Sequence, residues 1–219
     1  MPGRPHAIIY VDGFNLYKSA LQFGNPDCKW LDLVTMSEKL FPHFEIIQVK
    51  YFAARLKSSL HDPDVHRRQS VYLRALESVP KISIYLGHFA VHKQHLPLHP
   101  EVIDPISGKR LTAYVRRSEE KGSDVNIATQ MLLDGFSQAA DVFVLVSLDS
   151  DLQAPLQALK TRMGLSTGIV FPNEHVSKKL LEAQPEYVRH LRTGLLRESQ
   201  FPDQVLASDG TIITKPVNW

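Results

Sequence analysis

Three short stretches place carboxylates where a chain leaving a buried strand would expose them: "VDGFN" at 11–15, "KGSDV" at 121–125 and "SLDSDL" at 147–152. Asp12 follows the apolar run 7–11, and Asp149 and Asp151 follow the run 141–147. Asp124 opens a segment in which Val125, Ile127, Ala128, Met131, Leu132 and Phe136 recur at helical spacing. Each acid alone has a plain structural role. Asp124 or Ser123 reads as a helix cap, Asp151 as the cap of the next helix, Asp12 before Gly13 as a turn residue, Asn15 as a cap and Lys121 as a solvated charge. Their convergence is harder to explain that way, because like charges gathered at one edge repel unless a cation neutralises them. Oxygen-only donors favour Mg²⁺ or Mn²⁺ over zinc or copper.

That convergence depends on the elements that carry the acids. Short β-rich runs at 7–11, 45–54, 82–91, 141–147 and 166–171 alternate with helical patterns near 14–23, 31–41, 63–78, 123–137, 152–163 and 175–183. The alternation predicts an α/β fold of βαβ units around a central, mostly parallel sheet. Such a sheet binds ligands beyond the carboxyl ends of its strands, where Asp12, Asp149 and Asp151 fall. Pro155 is tolerated only in a helix's first turn, which leaves 149–151 in the strand-to-helix connection. On the apolar stripe of 123–137, Asp124 shares its side with Ile127, Ala128 and Met131 and is expected to face the sheet and not the solvent. The stretch 92–120 breaks the alternation with three prolines and "SGK", and reads as a hairpin inserted beside the sheet. The main domain is expected over 1–195, with 196–219 a C-terminal tail turning at Asp209 and Gly210.

With 219 residues, 43% of them hydrophobic and 22% charged, the chain has the composition of an ordinary globular protein. One cysteine, Cys28, excludes an internal disulfide and a cysteine-based zinc cluster. No apolar run approaches the roughly 18 residues that cross a bilayer, and the start "MPGRPHAIIYVDGFN" has no signal-peptide core, so the cytoplasm is the expected location and no membrane partner is expected. A formal net charge of +2 does not by itself indicate nucleic acid, although "RR" occurs at Arg67–Arg68 and Arg116–Arg117. Phe14, Tyr17 and Phe89 are expected in the core and not as base-stacking platforms.

"IIYVDGFNLYKS", "EEKGSDVNIATQMLLDGF" and "DVFVLVSLDSDLQAPLQALK" resemble, in order, the three signature blocks of the NYN domain, a branch of the PIN-like nucleases that includes the LabA-like proteins. The resemblance spans about residues 6 to 172. It implies a PIN-like three-layer α/β/α sandwich and metal-dependent hydrolysis of RNA, single-stranded or structured, through Mg²⁺ or Mn²⁺. Asp12, Asp124, Asp149 and Asp151 match the family's acidic positions and become the expected catalytic and metal-holding residues, and Asn15 matches the asparagine after the first strand. Asn15 and Ser147 would orient a water or a phosphate oxygen, and Lys121, Arg55, Arg116 and Arg117 would contact the RNA backbone. Gln130 stands where many relatives carry Asp, which could weaken a second metal site, and Leu148 replaces a small or amide residue. The rival reading is a PIN-like module that binds RNA or a protein without cutting, and a homodimer is left open. The first strand lacks the Asp-x-Asp of haloacid-type phosphatases, no glutamate follows it to support a Toprim fold, and no P-loop is present.

Overall fold

A computed structural model describes residues 3–58 and 62–217; the last two residues of the expected tail lie outside them. Seven strands form one sheet: β1 (His6–Asp12), β2 (Glu45–Ala54), β3 (Ile82–Pro97), β4 (Thr112–Lys121), β5 (Val142–Val146), β6 (Ser166–Phe171) and β7 (Tyr187–His190). Their spatial order is β4-β3-β2-β1-β5-β6-β7, and every neighbouring pair is parallel except β3 with β4. The helices are α1 (Gly13–Leu16), α2 (Leu33–Leu40), α3 (Val65–Glu77), α4 (Ser123–Phe136), α5 (Gln153–Met163), α6 (Lys178–Leu181) and α7 (Thr193–Glu198), and α1 runs directly into a π-helical turn over Tyr17–Leu21.

Alternation along the strands builds two cores, one on each face of the sheet. Ala7, Ile9 and Val11 pack with residues of α2 and α3, whereas Ile8 and Tyr10 pack with Ile127 and Met131 of α4 and with Leu156 and Leu159 of α5. The result is the α/β/α sandwich that the resemblance implies. It also fixes Asp12, which follows Tyr10 by two residues, on the α4 side. No helix among the described residues is long and apolar enough to cross a membrane.

Three features differ from the sequence reading. Strand β3 does not end at 91 but runs unbroken to Pro97, pairing antiparallel with β4 from His88↔Lys121 to Pro97↔Thr112. The stretch 92–120 does form the expected hairpin, but as an extension of the sheet into a two-stranded arm, and its histidine-rich sequence hides the strand because most of its positions are exposed. Strand β7, too short and polar to announce itself, adds an edge beyond β6. On α4 the apolar stripe is only partly buried: Ile127 and Met131 are covered, while Val125 and Phe136 are 69% and 81% exposed. The tail residues Gln204–Leu206 (β8) and Ile212–Thr214 (β9) form a hairpin through Asp209 and Gly210, and Phe201 and Ile213 pack into the first core.

Candidate metal centre

Parallel pairing sets the ends of β1 and β5 side by side, with Val11 opposite Val146, so the next residues, Asp12 and Ser147, meet. The Ser147 hydroxyl donates to Asp12 Oδ2 at 2.9 Å, and both side chains are buried. Helix α4 lies on the same face and begins beside this edge after Gly122, whose φ of 97° suits a residue without a Cβ. The arrangement brings carboxylate oxygens of Asp12, Asp124 and Asp149 within 4.8 Å of one another.

Local hydrogen bonds orient these acids. Asp12 caps α1, its Oδ1 accepting from the Asn15 amide at 2.9 Å. Asp149 caps the 3₁₀ turn Ser150–Leu152, accepting from the Asp151 amide at 3.0 Å, while its own amide donates to Ser147 Oγ at 3.0 Å. Asn15 Oδ1 accepts from the Leu148 amide at 3.0 Å and ties the two acidic turns together. Capping and gathering acids at one edge are thus not alternatives for Asp12 and Asp149. The same residues do both.

Burial and mutual charge dominate the electrostatics of the group. Burial pushes the Asp12 carboxyl up to about 6, against the lowering effect of its bonds from Asn15 and Ser147, and Asp124 and Glu120 add to the rise. The Asp124 carboxyl is raised by partial desolvation and by the charges of Asp149, Glu120 and Asp151. A three-element, oxygen-only donor set with a buried member and, among the described residues, no lysine or arginine paired with it fits a hard divalent cation.

Asp124 is open to solvent, contrary to the expectation that it would turn away from it, yet its carboxylate belongs to the group. Asp151 stays outside the three-acid group; it is exposed, and its charge reaches Asp124. Lys121 and Arg117 both pair with Glu119, at 2.8 and 2.7 Å, on β4. Arg116 is exposed on the arm opposite Lys93, and Arg55 is exposed just past β2. Leu148 packs against the second core, so its side chain leaves the site clear. The sequence reading missed Glu120, which accepts from the Ser123 hydroxyl and whose charge raises Asp12 and Asp124. The signal was present in "EEKGSD", but only the antiparallel return of β4 carries Glu120 to this edge.

Beside the acids lies a cavity of about 420 Å³ between the α1 region, the end of β2 and α3. Phe14 and Tyr17, expected in the core, line it instead and are 44% and 37% exposed; Phe89 is half-buried on its wall. A Cβ at Gly13 would sit 2.5 Å from the Tyr51 ring, so only glycine lets α1 start here. Deeper under α4, Lys50 Nζ binds Asp134 Oδ2 at 2.7 Å and Gln130 Oε1 at 2.9 Å. Tyr10 donates to Asp134 at 2.5 Å and Tyr85 to Gln130 at 3.0 Å. Gln130 is thus engaged in a buried network outside the acid cluster.

A family model described as the NYN domain matches residues 6–191. The chain is 28% identical, over 96% of its own length and 74% of the relative's, to the 6-hydroxy-3-succinoylpyridine 3-monooxygenase HspA of Pseudomonas putida (strain DSM 28022 / S16). The crystal structure of a protein of unknown function, VPA0982 of Vibrio parahaemolyticus RIMD 2210633, matches with a TM-score of 0.55 and 16% identity, covering 88% of this chain and 96% of that one. The latter likeness is one of fold.

Proposed function

Since this chain belongs to the NYN domain family, a PIN-like nuclease family, we propose that it is a metal-dependent ribonuclease that hydrolyses RNA phosphodiester bonds. The observation that carries the reading is the meeting of Asp12, Asp124 and Asp149 at the carboxyl edge of the sheet. These three would hold Mg²⁺ or Mn²⁺, with Asp151 reaching the ion through water. When bound, the ion supplies Lewis-acid polarisation of the phosphodiester and a water activated near neutral pH.

The chain's own residues do the rest. Ser147 and the Asn15 amide hold Asp12 in one orientation, and Asn15 locks the β1 turn to the β5 turn, so the donor set needs little rearrangement to receive a cation. Without a cation the cluster repels phosphate, which makes RNA binding at this edge depend on metal. Arg116, Arg117 and Lys121 on β4 and the exposed Arg55 just past β2 supply backbone contacts.

The test pairs calorimetric Mn²⁺ titration with cleavage of labelled single-stranded RNA. Wild type is expected to bind Mn²⁺ and produce fragments, and Asp149→Asn to lose both while keeping its circular dichroism. An Asp149→Asn variant as active as wild type refutes the assignment. RNA retention with no fragments from the wild-type protein at saturating Mn²⁺ favours the non-cleaving RNA-binding module.

A second reading is supported by the 28% identity to HspA together with the cavity beside the acids. On that reading the chain oxygenates a small pyridine, consuming dioxygen and a two-electron reductant and releasing water. No G-x-G-x-x-G dinucleotide fingerprint occurs in the sequence to hold a nicotinamide cofactor. Oxygen uptake with 6-hydroxy-3-succinoylpyridine and NADH, with no RNA cleavage, would favour it.

A further inference from the structure

The 420 Å³ cavity has the volume of a small-ligand pocket and walls that suit one kind of molecule. Phe14 and Tyr17 are large apolar side chains left 44% and 37% exposed on the cavity wall. Each carries a lysine: Lys18 Nζ lies 5.7 Å from the Phe14 ring centroid, and Lys29 Nζ lies 5.7 Å from that of Tyr17. Among the described residues no carboxylate pairs with either ammonium. Tyr51 on the cavity wall is only 8% exposed, and among the described residues its hydroxyl has no hydrogen-bond partner. Lining the cavity and unclaimed by any described residue, that hydroxyl is left for a ligand acceptor to bond. The neighbouring Tyr72, by contrast, donates to the Leu31 carbonyl at 2.8 Å and is satisfied without a ligand.

We infer that this cavity binds a single planar aromatic ring carrying an anionic group: the ring stacks against Phe14 and Tyr17, Tyr51 donates to a ring heteroatom or substituent, and Lys18 and Lys29 meet the negative charge. Glu120 lines the same cavity and influences Asp12, so a ring held here lies next to the acid cluster. Two sources share this chemistry, a nucleotide within an RNA strand and a free heteroaromatic carboxylate. The inference goes beyond cleavage and stands whether or not the chain cuts RNA.

Calorimetry on the whole chain with divalent ions chelated tests it, since cleavage then plays no part. The probes are uridine 5′-monophosphate, adenosine 5′-monophosphate and pyridine-3-carboxylate, against cyclohexanecarboxylate and inorganic phosphate as a non-planar acid and an anion without a ring. At least one ring-bearing anion should bind about tenfold more tightly than both controls, and Tyr51→Phe should weaken it by about tenfold with the thermal midpoint retained. Phe14→Ala, at an exposed position, should weaken it likewise. In Lys18→Gln/Lys29→Gln the preference for pyridine-3-carboxylate over neutral pyridine-3-carboxamide should vanish. Binding confined to the nucleotides supports the site with RNA as its source, and binding confined to the carboxylate supports it with a free small molecule. Equal binding of ring and control anions, or binding unchanged by both Tyr51→Phe and Phe14→Ala, overturns it.

Discussion

Helix α4 meets carboxylates at two places, and the chain treats them in opposite ways. In its last turn, Asp134 is surrounded by Lys50, Tyr10 and, through Lys50, Gln130, so its charge is matched and its oxygens are bonded. Burial and the bond to Asp134 raise the Tyr10 hydroxyl far above the ordinary range and keep it a donor. At the helix's first turn, Asp124 joins Asp12 and Asp149 with no lysine or arginine paired to them among the described residues, and burial and mutual repulsion raise the carboxyls of Asp12 and Asp124 instead. A carboxylate with its own lysine holds a fold together. A group of carboxylates without one stores repulsion that an added cation relieves.

The sharpest way to break this contrast is to remove the lysine. Lys50→Met leaves Asp134 buried without its counter-charge and should destabilise the protein by about 3–5 kcal/mol, read as a drop in the denaturant midpoint. The double variant Lys50→Met/Asp134→Leu should recover most of that loss; no recovery would mean the network holds something other than its own charge balance.

At the other end, Asp149→Asn should reduce metal-dependent cleavage by about 10²–10³-fold, with unfolding by denaturant little changed. Removing one charge thus has a different effect at each place: loss of activity at the edge, loss of stability in the network of Asp134.

The proton makes a third comparison. The Asp12 carboxyl rises from 3.8 to about 6 on folding, so between these values the folded chain binds more protons than the unfolded one, and metal-free stability falls as pH rises through that window. At about 1.4 kcal/mol per pKa unit the loss is about 3 kcal/mol by pH 7. Asp12→Asn should remove this slope and make the metal-free protein more stable than wild type at pH 7. Mn²⁺ competes with the proton, so its stabilisation of wild type should grow from pH 5 to pH 7 and vanish in Asp12→Asn.

The smallest effect belongs to orientation. Ser147→Ala removes one donor to Asp12 and the acceptor for the Asp149 amide, and should weaken Mn²⁺ binding by about tenfold while leaving cleavage at saturating Mn²⁺ within a few-fold of wild type.

The positions of Asp12, Asp124 and Asp149 were legible because each is tied to a strong periodic signal, a β run before it or a helical stripe after it. Glu120 and Tyr51 were not, since both lie inside strands and owe their place to pairing between distant segments. Lys50 shows the same limit from the opposite side. Its sequence context, "QVKYFAA", reads as a buried strand with one misplaced charge, and only the packing of α4 over β2 reveals the partners that make it acceptable. The reach of β3 was hidden because "VHKQHLP" has no apolar face for a sheet to cover; its pairing with β4 alone sustains it.

Asp12 has one further consequence. Its Oδ1 fastens the first turn of α1, and the residues directly after that fastening, Phe14 and Tyr17, form the aromatic side of the neighbouring cavity. The carboxylate that would meet a cation is thus also the peg on which that aromatic side hangs. Where a cation on Asp12 shifts that turn, thermodynamic reciprocity requires a ring in the cavity to alter cation affinity by the same factor.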